Sequence, residues 1–237
     1  TIVAETLKTF KKDVDALIDK GEKKEVAIMQ IIQKYVVESK KVLFEGDGYS
    51  EAWAKEAEKR GLENVKTTPL ALDAYVTEKA KKLFASNDIY SHSELEARHE
   101  IMLEDYIKKV QIEARIMGEL ATTFIFPSAV KYQNILINNV KGLKEAGLKE
   151  PAYANQVQLL EAISNHISIL GDSVEKMIEE RKIANELTDT RAKAIAYCEK
   201  VKGQYFDIIR YHVDKLELIV DDAHWLLPKY REMLFLR

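Results

Sequence analysis

The stretch LEAISNHISILGDSVEKM, residues 160–177, decides the fold because its apolar residues recur alternately three and four positions apart. These residues are Leu160, Ile163, Ile167, Leu170, Val174 and Met177. Such heptad spacing is typical of an α-helix that packs at a shallow angle along a neighbouring helix. The sequence therefore predicts a long helix here that contacts other helices along its length.

The neighbours of this helix are predicted on both sides of it in the sequence. A helical apolar pattern runs from Ser93 to Gly147, with a kink or restart at Pro127, whose missing N–H cannot join the helical ladder. Another begins near Asp189 and ends at Pro228, with a stripe formed by Ala194, Cys198, Val201, Tyr205, Ile208, His212, Leu216, Ile219, Ala223 and Leu226. Long helices of roughly 35 residues, each about 50 Å in length, predict an antiparallel bundle of three over residues 91–237.

Residues 1–90 contain shorter apolar patterns that are separated by turns. A first helix is predicted to end before Gly21, and the inner stripe of a second is predicted to be Val26, Met29, Ile32, Tyr35 and Val36. Ser50 is predicted to cap a third helix, and Thr68, which precedes a proline, to cap one that continues to about Ala85. We expect these short helices to pack on the bundle, so that the all-α chain is one cooperative unit.

Composition and charge limit the classes of function. The 36 basic and 39 acidic residues are interspersed and the net charge is only -3, so neither a nucleic acid nor a membrane is expected as a partner. No run of residues approaches the roughly 18 apolar positions that a membrane-spanning helix needs. The single cysteine, Cys198, excludes an internal disulfide and fits a reducing cytoplasm.

The segment FEGDGYSEAW, residues 44–53, has the most individual sequence, with two glycines around an acid. A dinucleotide-binding turn would need a third glycine and a preceding strand. A calcium loop would use Glu45, Asp47 and Glu56, but it requires a glycine where Ser50 stands. The pattern favours a sharp corner between helices, in which Asp47 accepts a hydrogen bond from its own backbone segment.

Two acid-x-x-His pairs invite comparison with the carboxylate-bridged metal pairs of helical bundles. Glu96 with His99 forms one pair, and Asp221 with His224 forms a version that uses Asp. Such a site also needs an inward Glu from each of two partner helices. The helix over residues 152–187 has aliphatic side chains at those positions, and Asp221 lies at a helix end. We therefore reject these four residues as metal ligands.

The remaining reactive side chains have structural interpretations. His166 and His212 adjoin or lie in apolar stripes, and no proton-transfer partner can be named for them, so they are interpreted as hydrogen-bonded core histidines. Cys198 lies on an inner stripe, where a small apolar thiol packs well. No nucleophile elbow, Walker lysine loop or zinc-protease motif is present. The residues alone predict a helical domain and name no reaction.

Several stretches, taken in order, resemble the C-terminal region of type III glutamine synthetases. They are FEGDGYSEAW (44–53), TTPLALDAY (67–75), RHEIMLEDYIKKVQIEARIM (98–117), PSAVKYQNILINNVKGLKE (127–145) and VDDAHWLLPKYREMLFLR (220–237). The resemblance spans nearly the whole chain, and GDGYS, KYQN and LPKYRE make it specific. In that family a helical region like the initial TIVAETLKTF directly follows the catalytic sheet domain. We therefore expect the chain to be cut from a longer protein.

The resemblance implies an ATP-dependent ligase that joins ammonia to glutamate in a large, ring-stacked cytoplasmic homo-oligomer. ATP and magnesium are implied for the catalytic domain, none of whose motifs occurs in these 237 residues. The chain alone is therefore expected to be inactive, with no catalytic residue and no cofactor of its own.

Within such an enzyme, two roles for this chain are considered. The favoured role is structural packing on the catalytic domain and on neighbouring subunits, which would bury apolar residues such as Leu234 and Phe235. The other is a corner formed by Glu45, Asp47 and Tyr49 that reaches over a substrate entrance. Outside this family, the alternatives are an independent helical protein-interaction module and a metal-binding helical bundle.

Overall fold

The structure, a computed structural model, describes residues 1–235, and every regular element in that range is helical. This confirms the predicted all-α class. The chain divides into two compact units, one formed by Thr1–Ile101 and one that begins at Met102. The predicted packing of the short helices on a bundle stays a prediction, and each unit is described by itself.

The first unit consists mainly of short helices. Its α-helices are α1 (Ile2–Ile18), α2 (Lys24–Glu38), α3 (Glu51–Lys59), α4 (Thr68–Leu72), α5 (Glu78–Ala85) and the beginning of α6 (His92–Leu120). Short 3-10 turns follow α2 at Ser39–Val42 and α4 at Asp73–Val76.

The hairpin of α1 and α2 has its own small core. Gly21, with a φ of +97°, allows the chain to reverse between the two helices. The buried residues of this core are Val14, Ala27 and Ile31, and the partly buried residues packed against them are Phe10, Leu17, Ile28 and Tyr35. The aliphatic seam and a Phe10–Tyr35 ring contact at 5.7 Å hold the hairpin together.

The predicted inner stripe of α2 is wrong except at Tyr35. Met29 and Val36 are 55% and 52% exposed. The row that contains Ala27 and Ile31 faces α1 instead. Because α2 has apolar residues on two adjoining faces, the spacing alone could not show which face packs on its neighbour.

The single helix predicted after Thr68 is also wrong, since α4 and α5 are separate helices. The N-cap of α4 is Thr67, one residue earlier than predicted. The Thr77 hydroxyl then accepts a hydrogen bond from the Ala80 N–H at 3.2 Å and caps α5. A threonine side chain that satisfies a free backbone N–H in this way starts a new helix.

The second unit contains the long helices. After α6 come a π-helical segment (Ala121–Ile125) and α7 (Phe126–Glu145), followed by a 3-10 turn (Glu150–Ala152) and α8 (Ala154–Glu186). The last segment contains α9 (Thr190–Ala196), a π-helical segment (Tyr197–Phe206), α10 (Asp207–Ile219) and α11 (Tyr230–Met233).

Helix α8 lies at the centre of the second unit and packs on α7 and on α10. Gln133 donates a hydrogen bond to Ser164 at 2.7 Å, and Gln111 donates one to Asn185 at 3.3 Å. The residue nearer the start of the α6–α7 segment thus bonds the residue nearer the end of α8, and the later residue bonds the earlier one. Helix α8 therefore runs antiparallel to the α6–α7 segment. The buried residues of α8 include the predicted heptad members Ile163, Ile167, Leu170, Val174 and Met177. The complete three-helix bundle stays a prediction.

The long helical segment before α8 changes its winding next to Pro127, as the sequence predicts. The π-helical turn ends at Ile125, and Pro127 lies in the first turn of α7. Around this irregular ladder, hydroxyl groups donate to backbone carbonyls, Thr123 to Glu119 at 2.6 Å and Ser128 to Phe124 at 2.7 Å. These hydroxyl groups therefore bond backbone carbonyls just before and within the π-helical turn.

The last long helix is shorter than predicted. The sequence stripe continues through Ala223 and Leu226 to Pro228, but α10 ends at Ile219 and the next residue is extended. A side-chain oxygen of Asp221 accepts the Ala223 N–H at 2.7 Å and closes a turn there. This local bond replaces the helical ladder.

Candidate functional site

The glycine-flanked corner before α3 is an Asx turn followed by a helix cap. Asp47 Oδ1 accepts the Tyr49 N–H at 2.9 Å, as the sequence predicts for this acid. The Ser50 hydroxyl donates to the Asp47 carbonyl at 2.7 Å and accepts the Trp53 N–H at 3.3 Å. Side chains of the corner therefore form hydrogen bonds with backbone N–H and carbonyl groups of the same segment. Ser50 caps α3, as predicted.

Arg60 holds the approach to this corner in place. Its guanidinium donates to the Leu43 carbonyl at 2.7 Å and pairs with Glu56 at 2.8 Å. The same guanidinium lies 5.5 Å from the Trp53 ring, which in turn lies 4.5 Å from the Phe44 ring. Its hydrogen bond to Glu56 lowers the pKa of that carboxyl. The arginine nearest to the corner is thus engaged in building it.

The candidate residues of the corner face solvent. Tyr49 is fully exposed, and Glu45 and Asp47 are exposed as well. One carboxylate oxygen of Asp47 accepts the backbone bond, and all three exposed side chains could contact another molecule. A role for these three residues at a substrate entrance stays a prediction.

The acid-x-x-His pairs lie one in each unit. In the first, Glu96 accepts a hydrogen bond from Lys81 at 2.8 Å, which lowers the pKa of Glu96, and His99 Nε2 lies 3.2 Å from Asp73 Oδ1. An ammonium bound to the carboxylate competes with a metal ion for the same oxygens.

In the second pair, His224 Nδ1 lies 3.9 Å from Asp221 Oδ1. Within residues 1–235, no group of three or more His, Cys, Asp or Glu side chains could hold a metal ion.

His166 and His212 meet between α8 and α10, with their Nδ1 atoms 2.8 Å apart. One ring must donate and the other accept, so the contact requires at least one neutral imidazole. Burial lowers the pKa of both rings, and the His212 and Lys215 charges lower that of His166 further. The two histidines are hydrogen-bonded, as predicted, but they are half-buried rather than in the core.

Cys198 is half-buried beside Tyr106. Burial and the neighbouring thiol raise the pKa of the Tyr106 hydroxyl. The raised pKa keeps the Tyr106 hydroxyl neutral at neutral pH, and the contact with the half-buried Cys198 suits packing.

A clamp formed by Asp222, Lys229 and Arg231 closes the end of α10. The Lys229 ammonium donates to the carbonyls of Glu217 at 2.8 Å and Val220 at 3.4 Å, and it pairs with Asp222, which also pairs with Arg231. The hydrogen bond from Lys229, followed by that from Arg231, lowers the pKa of Asp222. A half-buried lysine, 12% exposed at its side chain, thus satisfies carbonyls that every helix end leaves free.

Beside this clamp lies a cavity of about 540 Å³, which is in the size range of ligand pockets. Its walls come from α6, the segment 206–217 and the C-terminal segment, and four polar side chains line it: Glu113, Arg210, Asp214 and Glu217. Trp225 also lines the cavity; it is 8% exposed, and among residues 1–235 its indole N–H has no hydrogen-bond acceptor. The remaining lining is mostly aliphatic, so the cavity is suited to apolar groups and holds no paired nucleophile and base.

Sequence reasoning missed both the clamp and the cavity. Within LPKYRE, the proline followed by a lysine was a usable signal, because a basic side chain just beyond a helix end can bind its last carbonyls. No helix among residues 1–235 has the length and apolar content to span a membrane.

Comparisons with known proteins return glutamine synthetases. Residues 27–144 match the family model of the glutamine synthetase C-terminal domain. The chain is 41% identical to a glutamine synthetase of Bacteroides fragilis (strain YCH46), over 98% of this chain and 32% of that protein. It is 31% identical to the type-3 glutamine synthetase of Dictyostelium discoideum, over 100% of this chain and 32% of that protein.

A glutamine synthetase of Butyrivibrio fibrisolvens is 27% identical over 91% of the chain and 30% of its own length. The chain therefore spans about a third of the length of these relatives.

Proposed function

Since this chain carries a glutamine synthetase C-terminal domain, we propose that it is the non-catalytic helical part of a type III glutamine synthetase. The parent enzyme would be a ligase that joins ammonia to glutamate at the expense of ATP. The observation that carries the proposal is the near-complete coverage of this chain by relatives three times as long. The remaining two thirds of such a protein has room for the catalytic domain.

The residues described here do not fit MgATP. At the 44–53 corner Asp47 bonds backbone, and Arg60 is committed to Leu43 and Glu56. Phosphoryl transfer needs cations to offset the phosphate charge and carboxylates grouped around magnesium. We therefore assign ATP and magnesium to the part of the enzyme outside this chain, and we expect this chain alone to be inactive.

The role of this chain in the enzyme would be structural and oligomeric. Leu234 and Phe235 are largely exposed here. Burial of large apolar side chains such as these would stabilise the protein. They would pack on the catalytic domain or on a neighbouring subunit of a cytoplasmic homo-oligomer. The balanced charge supports a protein partner rather than a nucleic acid or a membrane.

The reading frame upstream of Thr1 tests this proposal. We expect it to continue through several hundred codons that encode a domain rich in short strands. The longer protein should then form glutamine from glutamate, ammonium and MgATP. A stop codon, or a Met start just before Thr1, would overturn the ligase assignment and favour an independent helical interaction module.

A further inference from the structure

Helix α1 carries an apolar seam that continues beyond its contact with α2. Val3, Leu7, Phe10, Val14 and Leu17 recur at intervals of four, three, four and three residues, which is the spacing of residues that share one helix face. Phe10, Val14 and Leu17 belong to the core shared with α2. Val3 and Leu7 continue the same face, yet they are 71% and 62% exposed.

The length of α2 explains why the seam is only half covered. Asp13 on α1 pairs with Lys34 at 3.2 Å, and Phe10 contacts Tyr35. These contacts are close to the C-terminal end of α2 at Glu38, where the backbone changes to a 3-10 turn. The two helices run antiparallel, so Val3 and Leu7 extend beyond the last turn of α2.

The polar side chains next to the uncovered seam are already satisfied within the first unit. Glu5 accepts a hydrogen bond from Asn87 at 3.0 Å and lies 3.7 Å from Lys8, and the Thr6 hydroxyl donates to the Ile2 carbonyl at 2.9 Å. An apolar partner could cover Val3 and Leu7 without breaking these bonds. Apolar centres with polar rims are typical of protein interfaces.

We propose that Val3 and Leu7 form a docking surface for the catalytic part of the same polypeptide. The inference rests on the proposed function, under which this chain is a C-terminal domain and the missing two thirds of the protein precedes α1. A covalently attached domain is held beside this surface at high effective concentration. Its apolar side chains complete the seam that α2 leaves open.

The reactivity of an introduced thiol tests this proposal. Leu7→Cys is made in a Cys198→Ser background, both in the 237-residue chain and in the longer protein, and is titrated with dithiobis(nitrobenzoate). Docking predicts a reaction at least about tenfold slower in the longer protein, because thiol reactivity follows exposure. Thr9→Cys, at an exposed position away from the seam, is the matched control and should react at the same rate in both proteins.

A charged substitution gives a second readout. Leu7→Lys should lower the unfolding midpoint of the longer protein and leave that of the 237-residue chain unchanged, whereas Thr9→Lys should change neither. Equal thiol reactivity in both proteins, or equal destabilisation of both by Leu7→Lys, would overturn the docking proposal. The upstream reading frame and glutamine formation report separately on the proposed function, so the two failures are distinguishable.

Discussion

Replacement of Lys229 by methionine should destabilise the second unit by removing the cap of α10. The methionine keeps most of the apolar stem, so the loss is confined to the ammonium and its bonds to the Glu217 and Val220 carbonyls. The bond at 2.8 Å is charge-assisted and the one at 3.4 Å is weak. Together with the helix dipole they contribute about 2 kcal/mol. The exposed Asp222 carboxylate is left out of this figure because ion pairs at the surface contribute little.

Thermal and urea unfolding, followed by far-ultraviolet circular dichroism, measure this loss. A change of about 2 kcal/mol lowers the midpoint of a chain of this size by roughly 4–8 °C. Lys200→Met, at an exposed position in the same unit, is the matched control and should change the midpoint little. Asp222→Asn should cost less than Lys229→Met, because it leaves the carbonyl bonds in place. If Lys229→Met behaves like the control, the capping argument is refuted.

Three further perturbations test other parts of the structure. Ser50→Ala removes the cap of α3 and should cost about 1 kcal/mol in chemical unfolding, whereas Ser50→Gly should cost only a few tenths; equal losses would contradict the capping role. Trp225→Phe removes an indole N–H for which residues 1–235 provide no acceptor, so it should cost less than about 1.5 kcal/mol, and a loss above about 3 kcal/mol would contradict this expectation. The stability of the chain should fall as the pH decreases below about 6.5, because the lowered pKa values of His166 and His212 mean that the unfolded chain binds more protons there. His212→Gln should flatten this dependence and His92→Gln, at an exposed position, should not; an unchanged slope in His212→Gln would remove the pair as its cause.

Local signals predicted the structure well where all the interacting groups lie within a few residues of one another. The Asp47 turn and the Ser50 cap each use backbone groups two or three residues away. The buried face of α8 could also be predicted, because the helix has a single apolar stripe and that stripe is the face that packs on its neighbours.

The sequence did not predict the end of α10, which depends on a side chain distant in the sequence, or the buried face of α2, which has two apolar faces. The apolar period continues past Ile219, but the Asp221 turn forms there and the clamp to Lys229 closes the end of α10. In α2, the rows through Ile31 and Val36 are both apolar, and only the α1 contact shows which one is buried.

The central claim is that this chain supports a ligase whose chemistry takes place elsewhere in the polypeptide. The most direct test is to measure glutamine formation by the purified 237-residue chain with glutamate, ammonium and MgATP, beside the longer protein at equal molar concentration. The account predicts no glutamine above the protein-free blank from the chain alone and turnover by the longer protein. Sustained glutamine formation by the 237-residue chain alone would contradict it.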